Sequence, residues 1–194
     1  MPRITRTLVL LNVGVFLLQL AAPGHLEERF ALYPLGPDFR IWQPFSYAFL
    51  HGGYTHLFFN MFAVYMFGST LERALGRGRY LWLYVISVLS AGACQLAVTW
   101  IQQSNEPTIG ASGGVFGLLL AFAMFFPRER LVLLFPPIPM PAWLFVTGYG
   151  VIELFLGATS RQTNVAHFAH LGGMLGAYLT ILWWRYGPRP RRPA

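Results

Sequence analysis

The sequence predicts an all-α membrane protein, a bundle of six transmembrane helices in a single domain that covers residues 1–194. Hydrophobic residues make up 55% of the chain and charged residues only 11%, against roughly 25% in an average soluble domain. So few charges cannot cover the surface of a soluble fold of this size. The chain also contains long uncharged stretches, and a helix needs about 20 such residues to cross a bilayer.

The uncharged stretches set the positions of the spans. The stretch from 41 to 71 is too long for one span, and its first part is rich in polar residues, glycine and proline, so we predict a loop there followed by a helix. Within lipid, only helices and closed β-barrels satisfy the hydrogen bonds of the backbone. These stretches lack the alternation that is typical of strands, so helices are favoured. The predicted spans are residues 7–24, 55–71, 80–102, 110–126, 141–158 and 165–184.

The arginines predict the orientation of the bundle. Six spans put both termini on one side, and that side carries eleven of the 14 arginines, while the opposite side carries three. By the positive-inside rule both termini are then cytoplasmic. This distribution accounts for the net charge of +7 without a nucleic-acid partner.

The N-terminus has a second interpretation. Its basic start, apolar run and Ala21-Ala22-Pro23 sequence also fit a secretory signal peptide. The apolar run is long for a signal peptide, so we expect a retained first span. Arginine without lysine is typical of a GC-rich bacterial genome, which predicts a multi-pass protein of the bacterial inner membrane.

Three polar residues are predicted to lie at one depth in the membrane. His56, Ser112 and His170 lie 16, 16 and 15 residues before the first charged residue at the cytoplasmic end of their spans. At about 1.5 Å per residue, each is roughly 23 Å above that end, and about 7 Å below the outer face of a core about 30 Å thick. Asn60 lies one turn further in, on the same face as His56. Polar side chains inside a membrane are costly and usually functional, so we expect these four to form a site.

The chemistry of this site follows from its residue types. Ser112 lies in a glycine-rich segment at the start of a helix, where free N–H groups stabilise an anion. A serine needs a base to become a nucleophile, and His170 can be that base. The N–H of Ser112 and the side chains of His56 and Asn60 are candidate donors to the oxyanion. Because the second, fourth and sixth spans carry no acidic residue at this depth, the sequence predicts a Ser–His dyad and not a triad.

Two pairs of glycines predict how the dyad is brought together. Gly113 and Gly117 form a small-residue face on the fourth span, and Gly172 and Gly176 form one on the sixth. Small residues at this spacing let membrane helices approach closely. We therefore expect the fourth and sixth spans to meet through these two faces.

Each residue also has a plain structural interpretation. A serine at a helix start can be a cap, a buried histidine can be a core residue, and Asn60 can hold two helices together. We expect His51 to be a loop residue at the outer surface and His167 to be only a neighbour of His170. Glu153 could face water, pair with Arg161 or belong to a gate, and we favour the first two.

A zinc centre is the rival interpretation of a histidine cluster. Catalytic zinc needs about three protein ligands, and His56 and His170 lack a clear third ligand at their depth. The sequence also lacks a His-Glu-x-x-His motif. We therefore expect no metal and no other cofactor.

Three motifs resemble those of the rhomboid intramembrane serine proteases. Gly110-Ala111-Ser112-Gly113 resembles the Gly-x-Ser-Gly motif of that family. Ala169-His170, followed by two glycines, looks like its Ala-His-x-x-Gly motif, and the segment from His56 to Asn60 looks like its His-x-x-x-Asn. The similarity runs from about residue 40 to 184 and matches the basic six-span bacterial form. In the first loop, Trp42-Gln43 stands where many members have Trp-Arg.

The resemblance implies a rhomboid-like bundle that acts as a serine endopeptidase on transmembrane protein substrates near the outer face of the lipid bilayer. It makes Ser112 the nucleophile and His170 the base, with His56 and Asn60 assisting the oxyanion. It also implies that Phe116 stacks on His170. The alternatives are a catalytically silent rhomboid-like protein that binds membrane proteins, and a small transporter, which would usually show inverted repeats.

Overall fold

The computed structural model describes residues 1–132, 137–159 and 166–187. The described residues are mostly helical, as predicted, and a short antiparallel ladder joins β1 to β2. A 3-10 turn at Tyr47–Phe49 follows α3, and a π turn at Val64–Gly68 connects α4 to α5. The helices are α1 (Arg3–Ala21), α2 (His25–Phe30), α3 (Gln43–Ser46), α4 (Tyr54–Ala63), α5 (Ser69–Leu75), α6 (Arg77–Gln102), α7 (Ser112–Phe125), α8 (Ala142–Thr159) and α9 (His167–Tyr186), and the strands are β1 (Arg130–Val132) and β2 (Pro139–Pro141).

The helices have the composition of a multi-pass membrane protein. Among the described residues, α1, α6 and α8 are each long and apolar enough to cross a bilayer, and α7 is a shorter apolar helix. The all-α membrane bundle is therefore confirmed. The count of six crossings and the cytoplasmic position of both termini stay predictions.

The centre of the bundle is α7. Ten of its 14 residues are buried, and they include its three glycines, which let neighbouring membrane helices approach closely. Helices α6 and α9 pack extensively against each other, and both pack on α7. The first turn of α7 is thus fixed between two long helices, and this turn carries Ser112.

Backbone contact between α7 and α9 centres on Gly173. A Cβ on Gly117 of α7 would lie 3.0 Å from the carbonyl oxygen of Gly173. A Cβ on Gly173 would overlap the carbonyl oxygen of Gly113. A Cβ on Gly172 or Gly176 would instead lie 2.9 or 3.0 Å from backbone oxygens of α6. The prediction that Gly172 and Gly176 face α7 is wrong, because successive residues point about 100° apart on a helix and Gly173 is the residue turned toward α7.

The first loop is held by hydrogen bonds from two of its own side chains, Gln43 and Trp42. Gln43 is fully buried; its Oε1 accepts the N–H of Arg40 at 3.0 Å and its Nε2 donates to the carbonyl of Asp38 at 3.1 Å. The indole N–H of Trp42 donates to the carbonyl of Arg29 at 3.1 Å. Gln43 therefore ties the first loop to itself through its side-chain amide.

Glu72 caps the N-terminus of α1 from α5. Its carboxylate accepts the backbone N–H groups of Ile4 at 3.0 Å and Thr5 at 2.8 Å, and the hydroxyl of Thr5 at 2.8 Å. A carboxylate at a helix N-terminus satisfies free donors and interacts favourably with the helix dipole. Burial acts to raise the pKa of Glu72, which lies just beyond the predicted span, but the bonds from Thr5 and Ile4 and the Arg77 charge outweigh it and lower the pKa.

We expect the substitution Glu72→Gln to lower the unfolding temperature at neutral pH, because the cap loses its charge. Hydrogen bonds to a charged group contribute about 1.5–3 kcal/mol. Since the folded-state pKa is lowered, this stability is present above the unfolded-state pKa and is lost as the pH falls through the folded-state value. Thermal unfolding of purified protein across that range should show the difference between wild type and variant shrinking in acid.

The matched control is Glu106→Gln, at an exposed position, for which we expect little change. Equal unfolding temperatures for Glu72→Gln and wild type at neutral pH would contradict the assigned cap.

Candidate active site

Ser112 and His170 are in direct hydrogen-bond contact. His170 Nε2 lies 2.8 Å from Ser112 Oγ, although the two residues are 58 positions apart in the chain. Ser112 is the first residue of α7 and His170 lies in the first turn of α9. The glycine contact between Gly113 and Gly173 lets the two helices come close enough for this bond.

One face of the His170 ring is covered by Phe116. The two rings are stacked, with centroids 4.1 Å apart and an angle of 5° between their planes. The predicted stack is therefore confirmed. It restricts the imidazole to a plane in which Nε2 points at Ser112.

Glu153 contacts the other nitrogen of His170. Glu153 Oε2 lies 2.9 Å from His170 Nδ1 and 2.7 Å from His167 Nδ1, and the residue is only 6% exposed. This acidic residue comes from the fifth span, which the prediction of a dyad from the second, fourth and sixth spans did not include. The preferred placement of Glu153 in water is wrong, since the side chain is buried. Its other predicted partner, Arg161, lies outside the described residues.

The signal for Glu153 was present in the sequence. It is an ionisable residue in an otherwise uncharged span, and such residues are usually functional. Glu153 lies on the fifth span, whereas the residues predicted to share one depth lie on the second, fourth and sixth spans. His167, interpreted as a mere neighbour, shares the carboxylate with His170.

The hydrogen bonds assign the tautomer of His170. An ionised carboxylate only accepts hydrogen bonds, so Nδ1 of His170 carries the proton that it donates to Glu153. In the neutral ring Nε2 is then an acceptor, and it faces the Ser112 hydroxyl. This is the protonation state that a general base requires.

His56 has the opposite tautomer. The N–H of Gly52 donates to His56 Nδ1 at 3.3 Å, which leaves Nε2 as the protonated nitrogen of a neutral ring. A Cβ built on Gly110 would lie 2.8 Å from His56 Nε2 and 3.8 Å from Ser112 Oγ. The donor nitrogen of His56 and the Ser112 hydroxyl therefore both lie close to Gly110, whose φ of 125° few other residues adopt.

Asn60 supports His56 from within the same helix. Its Nδ2 donates to the His56 carbonyl at 2.9 Å, and the residue is 6% exposed. An amide nitrogen has two protons, so one remains for another acceptor. The structure thus brings Ser112 and His170 into contact and places His56 next to them, and it bonds Asn60 to the backbone of His56.

His51 is a buried side chain that lies behind His56. It is 2% exposed, and its ring centroid is 5.0 Å from that of His56 in an edge-on arrangement. His51 is a loop residue, as predicted, and α1 covers this loop through Gln19, which exchanges hydrogen bonds with the His51 backbone. His51 therefore packs against His56 and limits the movement of its ring.

The start of α7 supplies further donors. The first three residues of a helix have N–H groups without intrahelical acceptors, and Ser112, Gly113 and Gly114 occupy these positions. The N-cap residue, Ala111, has no side chain that could accept from them. This end of the helix is suited to an anion.

Within the described part of the chain, one group of side chains has the composition of a metal site. Ligand atoms of Glu153, His167 and His170 all lie within 4.8 Å of one another. His170 thus has the neighbouring ligands that the sequence was expected to lack. The same atoms are already joined by hydrogen bonds of 2.7 and 2.9 Å, which account for their convergence.

The family of the chain follows from a comparison with known domains. A model of the rhomboid domain matches residues 38–186, which include all four predicted site residues. The chain belongs to the rhomboid family. The predicted resemblance is confirmed, and the assignment to the basic six-span bacterial type stays a prediction.

This rhomboid is similar to curated members from several organisms. It is 32% identical to rhomboid protein 1, mitochondrial, of Saccharomyces cerevisiae over 66% of this chain and 37% of the yeast protein. It is 27% identical to rhomboid protease AarA of Providencia stuartii, over 93% of this chain and 72% of that protein. It is also 27% identical to rhomboid protease GlpG of Pectobacterium atrosepticum, over 94% of this chain and 63% of that protein. Two of these three relatives are named as proteases.

Proposed function

We propose that this rhomboid is an intramembrane serine endopeptidase that cleaves transmembrane proteins near the outer face of the bilayer. The observation that carries the proposal is the 2.8 Å contact between Ser112 Oγ and His170 Nε2, together with the tautomer that leaves Nε2 free to accept a proton. A serine with an adjacent acceptor imidazole is an activated nucleophile.

The first step is attack on the peptide carbonyl. Ser112 Oγ forms a bond to the carbonyl carbon while its proton moves to His170 Nε2. His170 then gives this proton to the leaving amine, and the acyl-enzyme forms. Water hydrolyses the acyl-enzyme with His170 again acting first as base and then as acid.

The negative charge on the carbonyl oxygen needs donors. The N–H of Ser112, the Nε2–H of His56 and the remaining amide proton of Asn60 are the proposed donors. Preorganised donors at such an oxyanion are worth about 10²–10³ in kcat each. The bond from Gly52 to His56 Nδ1 supports this role, since it keeps the proton on Nε2.

The position of Ser112 suits hydrolysis at a membrane surface. The serine is partly exposed, whereas His170 and Asn60 are buried. With the predicted orientation, the start of α7 faces the extracytoplasmic side, in an inner membrane if the source is bacterial. We propose single-span proteins with helix-loosening residues near that side as substrates, because an extended segment exposes its carbonyl to attack.

Cleavage of a reporter tests the proposal. The purified protein is reconstituted with single-span reporters of differing helix stability, and the products are analysed by mass spectrometry. We expect one cut close to the outer boundary of the span and a loss of cleavage in Ser112→Ala of on the order of 10⁴-fold or more. A fluorophosphonate should label Ser112 in the wild type and nothing in the variant.

The control variant is Thr147→Val, at an exposed position on α8, which should cleave like the wild type. Cleavage that persists in Ser112→Ala would contradict the proposed nucleophile. Absence of both cleavage and labelling in the wild type would instead favour a silent rhomboid that only binds membrane proteins.

A further inference from the structure

We propose that Glu153 is a positioning residue for His170, so that the site operates as a Ser112–His170–Glu153 triad. This inference rests on the proposed protease function and adds a third member, from α8, to the two residues that the sequence motifs indicate. The contact that carries it is the 2.9 Å hydrogen bond between Glu153 Oε2 and His170 Nδ1.

The burial of Glu153 sets it apart on its helix. Of the residues of α8, Ala142, Val146 and Glu153 are buried, and Glu153 is the one among them with an ionisable side chain. An isolated carboxylate in an apolar environment is strongly unfavourable unless it is hydrogen-bonded. The two bonds from His167 and His170 compensate for burial and direct the carboxylate toward the catalytic base.

Three contacts together fix the His170 ring. Glu153 holds Nδ1, Phe116 covers one face, and Ser112 lies at Nε2. The carboxylate also decides the tautomer, because it can bond only a protonated Nδ1. Without it, the neutral ring could carry its proton on Nε2, where it could not accept the serine proton.

The same contact stabilises the charged intermediate. When the proton of Ser112 moves to His170 Nε2, the ring becomes a cation beside the Glu153 carboxylate. Glu153 stays ionised and keeps accepting the Nδ1 proton, and the Nε2 proton passes to the leaving amine. The step therefore needs no proton donor or acceptor besides these three residues and the substrate.

His167 provides the competing explanation. It bonds the same oxygen of Glu153 at 2.7 Å, so the carboxylate could serve only to attach α8 to α9. Under that explanation, removing His167 or Glu153 would lower stability, and activity would fall only with the folded fraction. Under the proposal, Glu153 variants lower kcat in folded protein and His167 variants do so much less.

The test compares Glu153→Gln, Glu153→Asp and Glu153→Leu with His167→Asn in the reconstituted full chain, with Thr147→Val as the control on the same helix. The readouts are kcat and KM with a cleavable reporter, the rate of fluorophosphonate labelling of Ser112, and the unfolding temperature. We expect Glu153→Leu to lower kcat and the labelling rate on the order of 100-fold, with KM within about threefold. For Glu153→Gln and Glu153→Asp we expect values of kcat between those of Glu153→Leu and the wild type. Glutamine retains an oxygen acceptor without the charge, and aspartate keeps the charge on a shorter side chain.

The outcomes separate this inference from the proposed function. Wild-type kcat in Glu153→Gln and Glu153→Leu, with Ser112→Ala inactive, would overturn the triad and leave the protease intact. A fall in kcat that matches the loss of folded protein, and that His167→Asn reproduces, would also overturn it. If Glu153→Leu does not fold, the nearly isosteric Glu153→Gln decides through the labelling rate per folded molecule. Failure of the wild type to cleave or label would refute the protease itself.

Discussion

Replacing His170 with alanine is expected to reduce reporter cleavage about as far as replacing Ser112, on the order of 10⁴-fold or more. The reason is that the 2.8 Å contact between the two side chains makes them a single functional unit: the hydroxyl is a poor nucleophile without its proton acceptor, and the imidazole has nothing to activate without the hydroxyl. The double variant should therefore be no slower than either single variant.

The measurement is kcat for the two single variants and the double variant under saturating reporter, with fluorophosphonate labelling as the second readout. His170→Ala should retain the Ser112 hydroxyl yet react with the probe far more slowly. His25→Ala is the matched control, because His25 is an exposed histidine of α2. Effects of the two single substitutions that multiply in the double variant would contradict a joint role.

Introducing a methyl group at the contact between α7 and α9 is expected to disrupt both folding and activity. A Cβ on Gly173 would overlap the Gly113 carbonyl oxygen and lie 2.7 Å from the carbonyl carbon. These are backbone atoms that no rotamer change can move, so Gly173→Ala must push α7 and α9 apart. Overpacking costs about 1–3 kcal/mol and occasionally more, and we expect this variant at the upper end.

The substitution Gly173→Ala should also lower activity, because the glycine contact lies next to the catalytic pair. Gly113 is adjacent to Ser112, and Gly173 lies about one turn from His170, so separating the helices lengthens the 2.8 Å contact. Gly173→Ala should lower the unfolding temperature by several degrees and lower kcat per folded molecule by at least tenfold, since a misplacement of about 1 Å can cost 10²-fold.

Two controls test whether the effect comes from packing. Gly148 on α8 and Gly14 on α1 have no atom within 4 Å of a built Cβ, so Gly148→Ala and Gly14→Ala should be neutral or stabilising, because alanine is the better helix former. If Gly173→Ala behaves like these controls in unfolding temperature and kcat, the close contact of α7 with α9 is not a feature of the folded protein.

Much of the site could be predicted from residue spacing. The rise of a helix per residue is fixed, so counting along a span gives the depth of a side chain without knowledge of the fold. This placed Ser112, His170 and His56 at one level, and the structure brings the first two into contact and the third beside them. Phe116 follows Ser112 by one turn, and its predicted stack on His170 is present.

The parts that could not be predicted depend on rotation of the helices and on which helices are neighbours. Gly172, Gly173 and Gly176 all lie on α9, yet only the packing decided that Gly173 faces α7 and the other two face α6. The burial of His51 likewise depends on a neighbouring helix, because α1 covers its loop.

The amino-acid sequence by itself determined the helical membrane architecture and the rhomboid motifs, and it predicts a common depth for the serine and the histidines, because apolar composition and helix rise are local properties of the chain. The tertiary structure alone decided that Glu153 of α8 joins His170 and His167. A hydrogen bond between two spans requires both helices to be neighbours and each to be turned toward the other, and the packing of the whole bundle sets those two conditions.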